Sequence, residues 1–203
     1  MSTPALQLLQ QEKARLEKQN KAQQAKILTL ERYVKVLAEL YWTAQKITAT
    51  ENPLEMLDQL LLKVIEALGA SDGSLSYLDA EAEELHFLIV HGEVREQLAG
   101  YRLKSDVGVA GWVVNEGQPL IVNNPRQDWR FSHQVDQAFT FLTRCILGVP
   151  VMKHDKPIGV IQILNKHDNN FTETDTVLAS VLGHIAAVVL EEMNTRRGIT
   201  KIF

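Results

Sequence analysis

The residues able to do chemistry are few and scattered. The only cysteine, Cys145, lies inside an apolar run, where a thiol is normally buried and inert. Paired carboxylates at Glu83-Glu84 and Glu191-Glu192 fall on a predicted turn and a predicted helix end, where solvation is the rule. No serine sits on a nucleophile elbow. The histidines show no spacing typical of metal ligands, and they are His86, His91, His133, His154, His167 and His184. We therefore expect no catalytic residue and no metal site.

The sequence indicates a ligand-binding loop more strongly than it indicates a catalytic or metal site. Residues 123–138 (NNPRQDWRFSHQVDQA) are polar, contain Pro125 and supply few core side chains. A connection of this length inside a compact domain is more often a binding lid than a plain link. His133 could touch a ligand there, although a solvated loop histidine is commoner.

The lid leads into the central stretch of the chain. Two nearly continuous apolar runs, Cys145–Met152 and Ile158–Leu164, flank the turn-forming residues 154–157 (HDKP). This pattern predicts an antiparallel hairpin that is covered on both faces and central in its sheet. Pro150 has no N–H and indicates a bulge or a sheet rim.

The other elements complete an α+β plan. Asn52 and Pro53 predict the start of a helix that Gly69 ends. Strands are predicted at residues 74–78, 85–90 and 119–122, a short helix or loop at 92–100 and a helical turn at 107–115. A last helix spans 171–197, capped by Thr172 or Thr174, and Gly198 ends it. The expected architecture is one antiparallel sheet with the long helices on one face and loops around a pocket on the other.

Residues 5–48 contain no glycine or proline and carry a heptad pattern. Such a repeat, sustained over more than four heptads, predicts a coiled-coil homodimer, and an asparagine at an a position commonly specifies a parallel pair. The alternative is a single amphipathic helix packed on its own domain. The predicted dimer seam includes Leu16, Asn20, Ile27, Leu30, Val34 and Leu37.

Composition limits the remaining classes. The 203 residues carry a net charge of −4 and are 45% hydrophobic, which suits one domain with an appendage. Residues 1–50 have eight Lys/Arg and four Asp/Glu but no basic stripe with aromatics, so we expect no nucleic-acid partner. No run approaches the eighteen or so apolar residues of a membrane span, and the lone cysteine suits a reducing compartment. We expect a cytoplasmic protein without a membrane partner.

Residues 128–136, 141–151 and 158–166 together resemble a GAF domain, in particular those of cyclic-nucleotide phosphodiesterases and bacterial adenylyl cyclases. The resemblance covers roughly Pro53 to Glu192. The family signature is met by Asn165, Lys166, Phe171 and Asp175, whereas Thr176 replaces its final Glu. The resemblance implies a structural ion pair between Lys166 and Asp175.

The resemblance also implies a ligand pocket beneath the lid. Four pocket positions of cyclic-nucleotide-binding members fall on Ser132, Asp136, Phe139 and Thr143, of which only Asp136 and Thr143 match in type. Phe131 or Phe139 would replace the stacking aromatic. The base would meet the backbone at Val122, Asn123 and Asn124, and Gln162 would point into the pocket. The alternative is that Asp136 caps a lid helix and Thr143 merely starts a strand.

Enzymatic relatives of this fold fit poorly. Free methionine sulfoxide reductases need at least two cysteines, and bilin-binding members usually carry a Cys-His pair, whereas Ile146 follows Cys145. The sequence therefore predicts a non-catalytic sensory GAF domain at 51–197, a dimerisation helix at 1–50 and a tail at 198–203. Its partners would be a small ligand, a cyclic nucleotide being one candidate, and a signalling effector protein. The alternative is a ligand-free dimerisation scaffold.

Overall fold

The structure, a computed structural model, describes residues 4–45, 52–167 and 170–197, so the tail predicted at 198–203 lies outside the described residues. The helices are α1 Pro4–Ala44, α2 Pro53–Leu68, α3 Arg95–Leu98, α4 Gly108–Glu116, α5 Gln134–Phe139 and α6 Glu173–Arg197. The strands are β1 Asp72–Asp79, β2 Glu84–His91, β3 Arg102–Lys104, β4 Leu120–Val122, β5 Ile146–Lys153 and β6 Lys156–Leu164.

All six strands form one antiparallel sheet in the order β3-β2-β1-β6-β5-β4. The predicted hairpin is β5–β6, with β6 at the sheet centre and β5 one strand from the edge. Pro150 pairs with Val160 beyond the last residue that β4 reaches, and a register shift follows at Val151/Met152. The α+β architecture is therefore confirmed. Strand β3, which contains a single buried residue, Leu103, was not predicted.

The two faces of the sheet carry different layers. Helices α2 and α6 cover one face with an apolar core that includes Leu61, Val64 and Leu182. A second apolar cluster on the other face joins α3, α4 and the lid to the sheet. The pocket side and the long-helix side are thus separated by the sheet, as the sequence predicts.

Local chemistry fixes both ends of α2 and the start of α6. The Asn52 side chain accepts a hydrogen bond from the Glu55 N–H, and Gly69 ends α2 with φ 67°. Thr172 precedes α6, and the Asp175 carboxylate accepts from the Thr172 N–H at 2.8 Å, which is one of the two bonds of a capping box. Of the two predicted N-caps, Thr172 is the one used.

Helix α1 has two parts that differ in burial. Its last third packs on α2 and α6 through the buried residues Tyr33, Val36 and Leu40. Residues 6–32 are exposed apart from the half-buried Thr29. The predicted seam residues Leu16, Asn20, Ile27, Leu30 and Val34 are exposed, and Leu37 is half-buried. The long helix is confirmed, and its pairing with a second copy remains a prediction.

Helix α6 is more apolar than the sequence interpretation allowed. Among the described residues, Glu173–Met193 is the one helical stretch long and apolar enough to cross a bilayer by length and composition. Leu178, Leu182 and Val189 on this helix are buried in the core of the domain. Packing within the domain accounts for its apolar character.

Candidate functional site

A cavity lies between the sheet and the layer formed by α3, α4 and the lid. Its free interior is about 80 Å³, and the volume reaches about 700 Å³ when the space of its open mouth is included. Its walls are mainly apolar, with Phe87, Val109 and Phe141 among them. Of the eight residues predicted to contact a ligand, those in the lining are Phe131, Ser132, Asp136, Thr143 and Gln162.

The C-terminal end of the lid is fastened by Asp136. Its two carboxylate oxygens accept from the Thr143 hydroxyl at 2.6 Å and from the Thr143 N–H at 3.1 Å. Asp136 lies within α5 rather than at its N-cap, and Thr140 ends that helix with φ 52°. The Asp136–Thr143 pair therefore closes a loop that runs along the cavity wall.

The N-terminal end of the lid has its own fastening. Arg130 donates to both carboxylate oxygens of Asp128, at 2.9 and 2.7 Å, and these hydrogen bonds lower the pKa of Asp128. The Arg130 guanidinium also lies 5.1 Å from the ring centre of Trp112 on α4. The lid is thus attached to α4 by the Arg130–Trp112 contact and closed at its C-terminal end by the Asp136–Thr143 pair.

The cavity floor presents two polar side chains. Ser74 of β1 and Gln162 of β6 are opposite each other in the strand register, and both line the cavity. Neither side chain has a hydrogen-bond partner among the described residues, and neither polar group is fully shielded from solvent. The hydroxyl and the amide therefore offer both donors and acceptors to a bound molecule.

The wall near β1 and β2 was not predicted from the sequence. Asp72 is buried and accepts hydrogen bonds from the Glu93 N–H and the Asn165 amide. His91, also in the lining, places its Nε2 3.2 Å from a carboxylate oxygen of Asp58 on α2. Both residues sit at strand ends: His91 follows the apolar residues 87–90, whereas Asp72 lies between Ser71 and Gly73 and in no apolar run.

The signature residues form a junction behind the cavity. The Asn165 side chain accepts from the Arg144 N–H and donates to Asp72 and to the Leu142 carbonyl. Lys166 Nζ lies 2.6 Å from Asp175 Oδ2, which is the ion pair that the family resemblance implies. Asp175 Oδ1 accepts from the Tyr33 hydroxyl of α1.

This junction ties several elements together. Phe171 is buried beneath Lys166, whose ammonium lies 5.8 Å from the centre of the phenyl ring. Burial and the neighbouring Asp175 carboxylate raise the pKa of Tyr33. The signature thus connects the cavity wall to the start of α6 and to α1.

Three predicted contact residues lie outside the cavity lining. Asn123 exchanges two hydrogen bonds with the Phe171 backbone, at 3.0 and 3.1 Å, and so holds the end of β4 to the segment before α6. Asn124 is exposed at the start of a short 3-10 turn. Phe139 packs edge-on against Tyr101, with ring centres 5.3 Å apart.

Among the described residues, none that lines the cavity is a lysine or an arginine. The first turn of α4, however, contributes Gly108, Val109 and Ala110 to the wall. N–H groups in a first turn have no partner within their helix and favour negative charge. An anionic group could therefore be held here by backbone donors alone.

The described part of the chain holds no cluster of three or more His, Cys, Asp or Glu residues suited to a metal ion. Cys145 is buried, and this burial raises the pKa of its thiol. The described geometry thus offers binding groups and does not assemble a nucleophile with a base.

Comparison with known proteins gives a family match. The GAF domain family model matches residues 50–191. A probable 3′,5′-cyclic phosphodiesterase of Caenorhabditis elegans is 28% identical over 135 residues, which are 59% of this chain and 18% of that protein. A dual cyclic-AMP and cyclic-GMP phosphodiesterase of Drosophila melanogaster is 32% identical over 85 residues, which are 41% of this chain and 6% of that protein. The chain thus spans less than a fifth of either relative.

Solved structures share the fold at low identity. The GAF domain of a phosphoenolpyruvate-protein phosphotransferase from Coxiella burnetii has a TM-score of 0.72 and 20% identity, covering 82% of this chain and 99% of that one. A free methionine-R-sulfoxide reductase from Neisseria meningitidis, solved with its substrate, has a TM-score of 0.65 and 21% identity, covering 82% of this chain and 92% of that one.

Proposed function

This chain belongs to the GAF domain family, whose members are regulatory, small-ligand-binding domains, and we propose that it senses a small ligand in the cavity beneath its lid. The observation that carries the proposal is the Ser74–Gln162 pair on the cavity floor, whose polar atoms have no partner among the described residues. We propose no catalytic activity, since Cys145 is a single buried thiol.

A cyclic nucleotide is the first ligand to test. The curated relatives named above are cyclic phosphodiesterases, and the first turn of α4 offers backbone donors to a phosphate. Ligand pockets for molecules of this size usually measure about 300–1,000 Å³. The free interior of about 80 Å³ is smaller, so a nucleotide would have to displace the lid.

The proposed response runs through the helices. A ligand that prefers one lid position shifts the molecule between two arrangements, by as much as its affinities for them differ. The junction of Asn165, Lys166 and Asp175 joins the cavity wall to α6 and to α1. We propose that α1 pairs with a second copy in a cytoplasmic homodimer and that its movement reaches an effector protein or a further domain.

Thermal unfolding with cyclic AMP, cyclic GMP or buffer tests the proposal. A nucleotide at a hundredfold over its Kd adds about 2.7 kcal/mol, which raises the midpoint by roughly 5–10 °C for a domain of this size. Gln162→Met should abolish the shift, because it removes the amide that is proposed to contact the ligand. The variant should still fold, because this amide has no hydrogen-bond partner among the described residues. Asp155→Ala, on the exposed β5–β6 turn, is the matched control and should keep the shift in full.

A scaffold without a ligand is the second candidate. It is favoured by the small free interior and by the bond between Asp136 and Thr143, which satisfies two of the polar groups at the site. No shift with either nucleotide would remove cyclic nucleotides from the proposal. The scaffold would then be favoured if a panel of small metabolites left the unfolding midpoint unchanged, both for the wild type and for Ser74→Ala and Gln162→Met.

A further inference from the structure

The cavity wall carries acidic side chains that no basic side chain balances. Asp72 and Asp136 both line it, and the lining histidine, His91, is placed against Asp58 of α2. Asp72 is only 6% exposed, and aspartate is rarely buried so deeply unless it is paired. Among the described residues, neither Asp72 nor Asp136 forms a salt bridge.

Both carboxylates accept hydrogen bonds from uncharged donors. Asp72 accepts from the Ser71 hydroxyl at 2.6 Å and from the Asn165 amide at 3.1 Å. Asp136 accepts from the hydroxyl and the N–H of Thr143. An ionised carboxylate acts only as an acceptor and has about four lone-pair sites, so this pattern suits two negative charges with acceptor sites left over. The donors orient these charges but do not neutralise them.

The start of α4 opposes this charge only in part. Its first turn lines the cavity, and a helix N-terminus is equivalent to roughly +0.5 of an elementary charge. The two carboxylates together are about four times larger in charge and opposite in sign. The cavity therefore favours a cation over the phosphate of a nucleotide.

The rest of the lining suits an organic cation. Phe87, Phe131 and Phe141 contribute phenyl rings, and the faces of such rings attract ammonium groups, including quaternary ones. One water-sized group needs about 10–15 Å³, so the free interior of about 80 Å³ has room for roughly five to eight non-hydrogen atoms. A ligand of that size fits beneath the lid as it stands.

The cavity floor adds a neutral polar contact beside the acidic one. Ser74 lies two residues after Asp72 on β1, so their side chains are on the same face of the sheet. Ser74 is 5% exposed, lines the cavity and has no hydrogen-bond partner among the described residues. A ligand that places its charge near Asp72 can therefore place a hydroxyl or carbonyl group near Ser74 and Gln162.

We infer that the cavity takes a small organic cation, an ammonium compound with an apolar body and one neutral polar group. Asp72 and Asp136 hold its charge, and Ser74 and Gln162 bind its polar group. This inference rests on the proposed sensing of a small ligand and names a ligand class other than the nucleotides.

Choline and its uncharged isostere 3,3-dimethylbutan-1-ol test the charge, because one has a quaternary nitrogen where the other has carbon. A ligand at tenfold over its Kd raises the unfolding midpoint by roughly 3–6 °C for a chain of this size. We expect a shift of this size with millimolar choline chloride and none with the isostere. Sodium chloride at the same concentration controls for ionic strength and should also give none.

Asp136→Asn tests the carboxylate by removing its charge and keeping its shape. The new amide can accept from the Thr143 N–H and donate to the Thr143 hydroxyl, so the variant should fold. Isothermal titration calorimetry should show choline binding weakened by about tenfold or more. Asp155→Asn removes the same charge on the exposed β5–β6 turn and should bind choline as the wild type does.

The outcomes separate the ligand class from the sensing function. Equal shifts with choline and the isostere would overturn the preference for a cation and leave the sensing of a small ligand standing. A shift with a cyclic nucleotide and none with choline would overturn the ligand class in the same way. No shift with any of these compounds would overturn the ligand class and favour the scaffold. Choline binding that Asp136→Asn leaves unchanged would overturn the role of Asp136.

Discussion

Replacing Tyr33 by phenylalanine should release the hydrogen bond that holds α1 to the family signature. The substitution keeps the buried ring and deletes only the hydroxyl that donates to Asp175. Asp175 would retain the Lys166 ammonium and the Thr172 N–H and hydroxyl as donors. All three of these donors reach Oδ2, whereas Tyr33 is the donor to Oδ1, so the substitution leaves the buried Oδ1 without its side-chain donor among the described residues.

The size of the effect follows from the burial and charge of the acceptor. Hydrogen bonds to charged groups contribute about 1.5–3 kcal/mol, and Asp175 is 1% exposed. Because the buried Oδ1 loses its donor while the other three donors stay on Oδ2, we expect the upper part of that range, about 3 kcal/mol. For a chain of this size, that loss lowers the unfolding midpoint by roughly 6–12 °C.

Urea unfolding at pH 7, followed by circular dichroism, measures this loss. Tyr41→Phe is the control, since it makes the same change on the same helix at a position that is 58% exposed. Its free energy of unfolding should stay within about 0.5 kcal/mol of the wild type. If Tyr33→Phe were as stable as Tyr41→Phe, the hydroxyl would contribute nothing, and the apolar contacts of Val36 and Leu40 alone would hold α1.

Three further outcomes are expected. The pKa of Tyr33 is raised in the folded state from 10.0, so the stability that its hydroxyl contributes is complete below pH 10 and is lost as the pH rises further. Tyr33→Phe should therefore flatten the fall in the free energy of unfolding between pH 9 and 11. An unchanged slope would contradict this expectation. Gly92→Ala should lower the free energy of unfolding in urea by about 3 kcal/mol, since φ is 110° and the added Cβ would overlap the Asp72 carboxylate. Gly100→Ala, at φ 77° with open space around it, should lower it by only about 1 kcal/mol. Equal losses would refute the steric argument. Cys145 should react with a disulfide reagent at least roughly a hundredfold more slowly in the native protein than in urea, because burial raises its pKa and blocks access; a fast native reaction would contradict the buried assignment.

The elements that local chemistry specifies were predictable from the sequence. Asn52, Pro53 and Gly69 mark both ends of α2, and each acts through neighbours within a few residues. The β5–β6 hairpin was predictable because its two apolar runs are separated by a short polar turn. Strand β3 was not predicted because three residues with one buried side chain are too few to show the alternation of a strand.

The site was predictable only where one stretch of chain supplies it. The lid and its Asp136–Thr143 contact come from a continuous segment, so the polar composition of that segment located them. Asp72 and His91 reach the same cavity from strands that are distant in sequence, and nothing local marks them. Asn123 has the right type for a ligand contact, but its amide is used by Phe171, 48 residues away.

Helix α1 has a second apolar face that the heptad pattern does not predict. Tyr33, Val36 and Leu40 lie beside the seam rather than on it, and they pack on α2 and α6. The seven-residue repeat describes only the exposed side of the helix. Both interpretations of this helix therefore apply to part of it: its end packs on its own domain, and its seam is left open.

Because Tyr33 and Leu40 fix the last third of α1 on the domain, the exposed part of the helix has a set rotational phase relative to the cavity. One residue inserted between Leu30 and Tyr33 would turn everything upstream by about 100° relative to the domain. Seven inserted residues would return it to within about 20°. A foreign helix fused to α1 in whole heptads would therefore keep its phase relative to the cavity, whereas a junction one or two residues longer would rotate it.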